Sequence, residues 1–142
     1  MIMKGNQKVI DALNGLLAME LAAMDQYFIH SQMYLDWGLQ KLYDRISHEF
    51  DDEKGHATVL IERMLFLEGV PDMVTRDGFK VGSDITSMLE SDLRVEYEWQ
   101  AGLRVRLRCA NRNGILSPGM RWSHYSTIPK WTTRTGWSSN WV

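Results

Sequence analysis

Four side chains in residues 1–98 have the types and the spacing of metal ligands. Glu53 and His56 form an E-x-x-H motif. Residues three apart on a helix lie on the same face, so one carboxylate oxygen and one imidazole nitrogen can reach the same ion. Glu20 and Glu96 each follow two leucines at helical spacing, which places both carboxylates on apolar helix faces. These residues are the candidate ligands of a metal centre.

Each of these residues also has an ordinary interpretation. Glu20 could reach water from the edge of its helix, Glu96 could be a surface residue near Tyr97, and most E-x-x-H pairs are solvated. The combination is more specific, because a carboxylate, an E-x-x-H and a second carboxylate occur on three successive predicted helices, each on the inward side. A lone buried carboxylate is costly. Oxygen ligands with imidazole suit iron or manganese, and zinc could compete.

Apolar residues at three- and four-residue steps predict three long helices, at about 6–36, 40–67 and 84 to at least 100. Asn6 could cap the first helix, and Ser83 or Asp84 could cap the third. Gly38 allows a turn between the first two helices. The sequence EGVP at 68–71 ends the second helix, because glycine and proline interrupt helices.

The predicted fold class is all-α. Two antiparallel helices, a long connection at 70–83 and a third helix describe three quarters of a four-helix bundle with one long crossover. In bundle di-iron sites, two helices each supply a glutamate and the other two each supply an E-x-x-H. Three of these four contributions are present here. The second E-x-x-H is missing, because Glu98 is the last acidic residue of the chain.

The charge of the chain changes sign after Glu98. Residues 1–98 hold all 18 acids and 9 of the 16 lysines and arginines, a net charge of −9. Residues 99–142 hold seven lysines and arginines and no acid, a net charge of +7, together with five of the six tryptophans. Because positive and negative residues are normally mixed along a chain, this change indicates that two sequence segments of different composition are joined near Trp99. We expect residues 1–98 to form the bundle and 99–142 to be an aberrant, irregular basic tail.

Three stretches of the acidic part are long and specific: MKGNQKVIDALNGLLAMELAAMDQYFIHSQMYLDWG, HEFDDEKGHATVLIERMLFLEGVP and GSDITSMLESDLRVEYE. They cover residues 3–98 without an evident gap, and they resemble the bacterioferritin family. The resemblance implies a ferritin-like four-helix bundle whose fourth helix is lost or misread here. It also implies a shell of 24 subunits, homo- or hetero-oligomeric, that oxidises Fe(II) with O2 or peroxide and stores ferric mineral.

The resemblance also assigns roles to particular positions. It implies a di-iron ferroxidase centre whose catalytic and metal-binding residues here are Glu20, Glu53, His56 and Glu96. It places Tyr27 beside the metals. His48 and Asp52 match inner-surface residues on the iron path to the cavity, although both are equally well explained as ordinary polar residues that contact water.

This chain departs from the pattern of the family at the haem site. The family ligates haem between two subunits through a methionine just after the glutamate of the E-x-x-H, and here that position is Lys54. A protonated lysine is a poor ligand. The chain therefore resembles a subunit type without the haem ligand, in which haem would require a partner subunit that bears the methionine.

Residues 99–142 depart further from the family pattern than the haem position does. A frameshift near Trp99 would explain this departure. Shifting each codon boundary back by one base forces Asp, Leu and Gly at three places. The remaining codons then permit DDTEVDHTDWLEQQLG around 127–141 and LCEQQRDFVSRD at 108–120. Both strings look like the fourth-helix region of the family, and the first contains the missing E-x-x-H. The alternative is a genuine divergent basic tail.

Several other functions compete with iron oxidation and storage. The chain as written could be an inactive truncated or frameshifted subunit, because it supplies four of six ligands. The tail could be a nucleic-acid arm built on Arg104, Arg106, Arg108 and Arg112, although we expect no nucleic-acid partner. A rubrerythrin-like peroxidase fits the ligand spacing, but its rubredoxin part needs paired cysteines and the chain has one, Cys109.

Composition also bears on location. A lone Cys109 fits a reducing compartment. The first residues lack the apolar stretch of a signal peptide, and no stretch approaches the length of a membrane span. We therefore expect a cytoplasmic protein without a membrane segment.

Overall fold

The computed structural model describes the backbone of residues 6–112 and the side chains of residues 6–102. Within that part there are three helices and no strand: α1 (Gln7–Asp36), α2 (Gln40–Phe66) and α3 (Ile85–Arg112). The all-α prediction is confirmed. None of these helices has an apolar stretch of the length needed to cross a bilayer, over the residues described.

Local hydrogen bonds explain where the helices begin and end. The Asn6 side chain caps α1 by accepting a bond from the Lys8 N–H, and Asp84 caps α3 by accepting one from the Ser87 N–H. Gly38 has a φ of 73°, which turns the chain from α1 into α2. These caps and this turn are among those that the sequence indicated.

The α2 helix ends in a tight C-terminal turn. Glu68 has a φ of 57°, a left-handed conformation that usually falls to glycine, and the following Gly69 N–H donates to the Met64 carbonyl at 2.8 Å. The helix has therefore ended before Val70-Pro71, in agreement with the stop that the sequence predicted at 68–71.

The crossover between α2 and α3 runs along α1. The Asn14 side chain donates to the Val70 carbonyl at 3.1 Å and accepts from the Asp72 N–H at 2.8 Å. Further along, Arg76 pairs with Asp25 at 2.8 Å. Because the crossover follows α1 from its first half towards its C-terminal end, α3 starts beside that end and runs antiparallel to α1.

The α1 helix is the central element of the described bundle, because it packs against both α2 and α3. Leu17, Leu60 and Met64 lie at the centre of the α1–α2 core and are fully or almost fully buried. Tyr27 and Met88 bring α1 and α3 together in a second buried cluster. The two clusters fix the helix faces that meet at the candidate metal ligands.

A buried chain of hydrogen bonds ties α1, the crossover and α3 together. The Gly82 N–H donates to Nε2 of His30 at 3.1 Å, so the ring proton is on Nδ1, which donates to Asp92 at 2.7 Å. Gln26 donates to the same oxygen of Asp92 at 2.7 Å. Since His30 and Asp92 are completely buried, this network fixes the register of α3 against α1.

The third helix continues past the change of charge. The helix was predicted to reach at least residue 100, and it extends to Arg112, into the stretch 99–142 that was expected to be an irregular tail. Helical geometry does not need acidic residues, and arginine, leucine and alanine are good helix formers. Residues 113–142, and with them most of the strings obtained by shifting the frame, lie outside the described residues.

We expect Gly82→Ala to destabilise the fold by about 1–3 kcal/mol, because the added methyl group overpacks a closed site. A Cβ at Gly82 would lie 2.5 Å from the Met88 backbone nitrogen and 2.7 Å from its Cα. Gly78→Ala in the same crossover is the control, because its Cβ would meet nothing within 4 Å. Urea unfolding followed by circular dichroism measures both; equal stability of the two variants would contradict the packing described.

Candidate metal centre

Three of the four predicted ligands converge between α1 and α2. One atom each from Glu20, Glu53 and His56 lie within 4.8 Å of one another. Nδ1 of His56 is 2.8 Å from Oε2 of Glu53 and 3.8 Å from Oε2 of Glu20. Two carboxylates and an imidazole that face a common point can hold one divalent cation.

Burial and one hydrogen bond hold the Glu20 carboxylate in place. It is almost wholly buried, and its Oε1 accepts a hydrogen bond from the indole N–H of Trp99 at 2.9 Å. Its Oε2 is buried without a hydrogen-bond partner. A buried carboxylate oxygen without a partner is costly, and a cation bound beside His56 would satisfy it. The residues present therefore fit a metal ion.

The fourth predicted ligand, Glu96, lies outside this group of three. Its carboxylate accepts a hydrogen bond of 2.5 Å from the Tyr27 hydroxyl across the α1–α3 interface. Burial and the neighbouring carboxylates Glu96 and Glu53 raise the pKa of Tyr27 well above its usual value. Tyr27 is thus a neutral hydroxyl that donates to Glu96, as the resemblance placed it beside the centre.

The pKa values of three of the candidate ligands are raised. Burial raises the pKa of Glu53 to about 8, although the bond to His56 acts in the opposite direction. Burial lowers the pKa of His56, but contacts with Glu20 and Glu53 outweigh it and raise the pKa to about 10. Burial also raises the pKa of Glu96 to about 7, against the bond from Tyr27. Near neutral pH, the protonated imidazole of His56 therefore supplies a positive charge beside Glu20 and Glu53.

The remaining candidates lie on the outside of α2. His48 and Asp52 are exposed and form a 3.5 Å ion pair with each other. Lys54 is also exposed, one residue after a ligand that points inward. None of these three belongs to the group formed by Glu20, Glu53 and His56. The side chains of the arginines proposed for a nucleic-acid arm lie outside those described.

Sequence reasoning missed Trp99 and the buried pair of His30 and Asp92. Trp99 follows Glu96 by three residues, so helical spacing puts it on the same face and could have indicated it. Asp92 precedes Glu96 by four residues and belongs to the same inward stripe. Both signals were obscured, because Trp99 was assigned to the tail and an aspartate such as Asp92 is most often exposed.

The chain is similar to known proteins over most of its length. The Ferritin-like domain family matches residues 10–114. Over 102 residues, 72% of the chain, the sequence is 56% identical to the Bacterial ferritin of Synechocystis sp.. It is 58% identical over 94 residues, 66% of the chain, to the Bacterial ferritin of Paramagnetospirillum magnetotacticum. The match to the Bacterioferritin of Rhodobacter capsulatus is 42% over 116 residues, 81% of the chain and 72% of that protein.

The chain spans only part of the first two relatives. The matched region covers 65% of the Synechocystis protein and 57% of the Paramagnetospirillum protein. The family match nevertheless ends at residue 114, beyond the stretch 3–98 that carried the resemblance in the sequence. Similarity to the family thus continues into the acid-free part of α3.

Metal binding at this centre should strengthen as the pH rises. A dication must displace the proton that His56 holds with a pKa of about 10 and the one that Glu53 holds with a pKa of about 8. Each proton released makes the affinity rise by up to about tenfold per pH unit. Calorimetric titration with Zn2+ between about pH 6 and about pH 8, in two buffers of different ionisation enthalpy, measures affinity and proton release.

In the same titration Glu20→Gln should weaken binding and Glu62→Gln should not, because Glu62 is an exposed residue of α2. An affinity that stays constant with pH, without proton release, would exclude the proposed protonation of the centre.

Proposed function

Because the chain belongs to the ferritin-like family, we propose that it serves iron storage and detoxification by oxidising Fe(II) at a di-iron centre. The observation that carries this proposal is the convergence of Glu20, Glu53 and His56 around one point, with a buried oxygen of Glu20 left for a cation. In this proposal Fe(II) is the substrate, O2 or peroxide accepts its electrons, and Fe(III) is deposited in the cavity of a shell.

The proposed roles follow from position. Glu20 and Glu96 would be terminal ligands, Glu53 would bridge the two irons or bind one of them, and His56 would hold one iron. Two metal ions in such centres are typically about 3.5–4 Å apart, which a shared carboxylate can bridge. The hydrogen bond from Tyr27 keeps Glu96 oriented towards the interior of the bundle, where the charge of Glu53 helps to raise the pKa of Glu96. His48 and Asp52 remain proposed residues of the iron path.

The second iron needs ligands beyond those on α1, α2 and α3. A complete centre would take them from a second E-x-x-H on a fourth helix. The chain has no acid after Glu98, so residues 99–142 as printed supply no such motif. We therefore propose full turnover only for a chain with that helix restored.

Assembly into a shell, as a homo- or hetero-oligomer, belongs to the same proposal. The crossover exposes five large apolar side chains: Val70, Met73, Val74, Phe79 and Val81. Exposed apolar residues are typical of contacts between subunits where they form a patch. With Lys54 at the family's haem position, a partner subunit would have to supply the haem ligand. A cytoplasmic location also remains a proposal.

A second candidate is an inactive subunit produced by a frameshift. The abrupt change from a net charge of −9 in residues 1–98 to +7 in residues 99–142 favours it. Such a chain would keep the ligands of α1 and α2 and lose those of the fourth helix. It could bind a metal ion without oxidising iron.

Iron oxidation separates the two candidates. We expect a frame-corrected chain to oxidise Fe(II) rapidly and the 142-residue chain to oxidise it no faster than buffer, as followed by ferric absorbance. In the corrected chain Glu20→Gln should lower the rate at least about tenfold, and the exposed Glu62→Gln should leave it unchanged. A corrected chain that is inactive, or insensitive to Glu20→Gln, would rule out the ferroxidase proposal.

Sequencing the gene across the codons for residues 90–105 tests the frameshift directly. One missing or additional base is expected, which would restore a fourth helix with its E-x-x-H. An intact reading frame would instead make the basic tail a genuine part of this protein and would reject the frameshift.

A further inference from the structure

Trp99 contacts the metal centre from α3, although its position was not among the candidate ligands. It is the residue directly after the last acid of the chain. Its side chain is partly buried and packs against the α1–α2 core. It reaches Glu20 on α1 and His56 on α2, so one residue of α3 touches two of the three converging ligands.

The indole N–H controls how Glu20 can bind an ion. It donates to Oε1 of Glu20 at 2.9 Å, and this leaves Oε2, which is buried and has no hydrogen-bond partner. Oε2 is also the oxygen that lies 3.8 Å from Nδ1 of His56. Glu20 therefore turns Oε2 towards the centre, while the indole N–H competes with a metal ion for Oε1.

The indole ring controls the orientation of His56. The two ring centroids are 6.0 Å apart and the ring planes differ by 23°, so the indole lies nearly parallel to the imidazole. In this orientation Nδ1 faces the carboxylates of Glu53 and Glu20. Rotation of the imidazole out of the centre would lose the ring contact with Trp99.

We propose that Trp99 is a positioning residue of the metal centre, which makes Glu20 a one-oxygen ligand and orients His56, so that the three ligands hold one divalent cation. This inference rests on the metal centre of the proposed function. It concerns only the ion at Glu20, Glu53 and His56, and it applies to the 142-residue chain as it is. Side chains that support metal ligands through hydrogen bonds commonly contribute ten- to hundredfold to affinity.

Cobalt titration of the full chain tests the proposal, because the visible absorption of Co(II) reports the number and geometry of its ligands. The variants are Trp99→Phe, which keeps an aromatic ring over His56 and removes the N–H, and Trp37→Phe as the matched control. Trp37 is exposed at the end of α1 and packs edge-on against Tyr34. Circular dichroism checks that each variant is helical.

The parent chain should bind one Co(II) with an affinity that Glu20→Gln reduces. Trp99→Phe should raise the Kd about tenfold or more, because Glu20 loses the hydrogen bond that positions it. It should also change the absorption bands, because Glu20 is then free to offer both oxygens. Trp37→Phe should match the parent in both measurements. Part of the quenching of tryptophan emission by Co(II) should also disappear in Trp99→Phe.

The experiment distinguishes two outcomes: that Trp99 has no role at the metal centre, and that there is no metal centre at Glu20, Glu53 and His56. If Co(II) binding does not respond to Glu20→Gln, the metal centre itself is overturned. If it does respond, but Trp99→Phe has the Kd and the spectrum of the parent, the centre stands and the role of Trp99 is overturned.

A second measurement does not depend on the folding of Trp99→Phe. In the parent chain with 15N-labelled indoles, one indole N–H resonance should shift both when Zn2+ is added and when Glu20 is replaced by Gln. If no indole resonance responds to either change, the proposed bond between Trp99 and Glu20 is refuted.

Discussion

The burial of carboxylates between the helices is the constraint on which the rest of the structure depends. Glu20, Glu53, Asp92 and Glu96 are each less than a tenth exposed. A buried charge is tolerated only when it is paired or hydrogen-bonded. The donors are Trp99 for Glu20, His56 for Glu53, His30 and Gln26 for Asp92, and Tyr27 for Glu96. The helix register must satisfy all of these bonds together, and the apolar clusters fill the space around them.

The two groups of acids differ in what holds them. Oδ1 of Asp92 accepts hydrogen bonds from His30 and Gln26 and so fixes the position of α3, although Oδ2 of Asp92 has no hydrogen-bond partner. Glu20 and Glu53 instead face one imidazole, that of His56, and Glu20 also accepts a hydrogen bond from Trp99. Two acidic side chains that face one imidazole in the bundle interior would be stabilised by a cation at the same point, which is where we propose that a metal ion binds.

Much of this arrangement could be predicted from the sequence. The period of the apolar residues predicts the helices, and an inward Glu20 with an E-x-x-H at Glu53 and His56 predicts the converging ligands. The bond between His30 and Asp92 could not be predicted, because nothing in either local sequence indicates a partner 62 residues away. Trp99 was missed for another reason. A boundary in charge was taken as a boundary in structure, whereas backbone hydrogen bonds carry a helix across any change in side-chain charge.

The location of the three converging ligands has a consequence for the order of folding. All of them lie between residues 20 and 56, on two helices joined by a short turn. Closing this hairpin costs little chain entropy, whereas docking α3 must also order the long crossover. Contacts that are local in sequence generally form first. The first two helices would therefore bring the three candidate ligands of the proposed centre together before α3 docks against them.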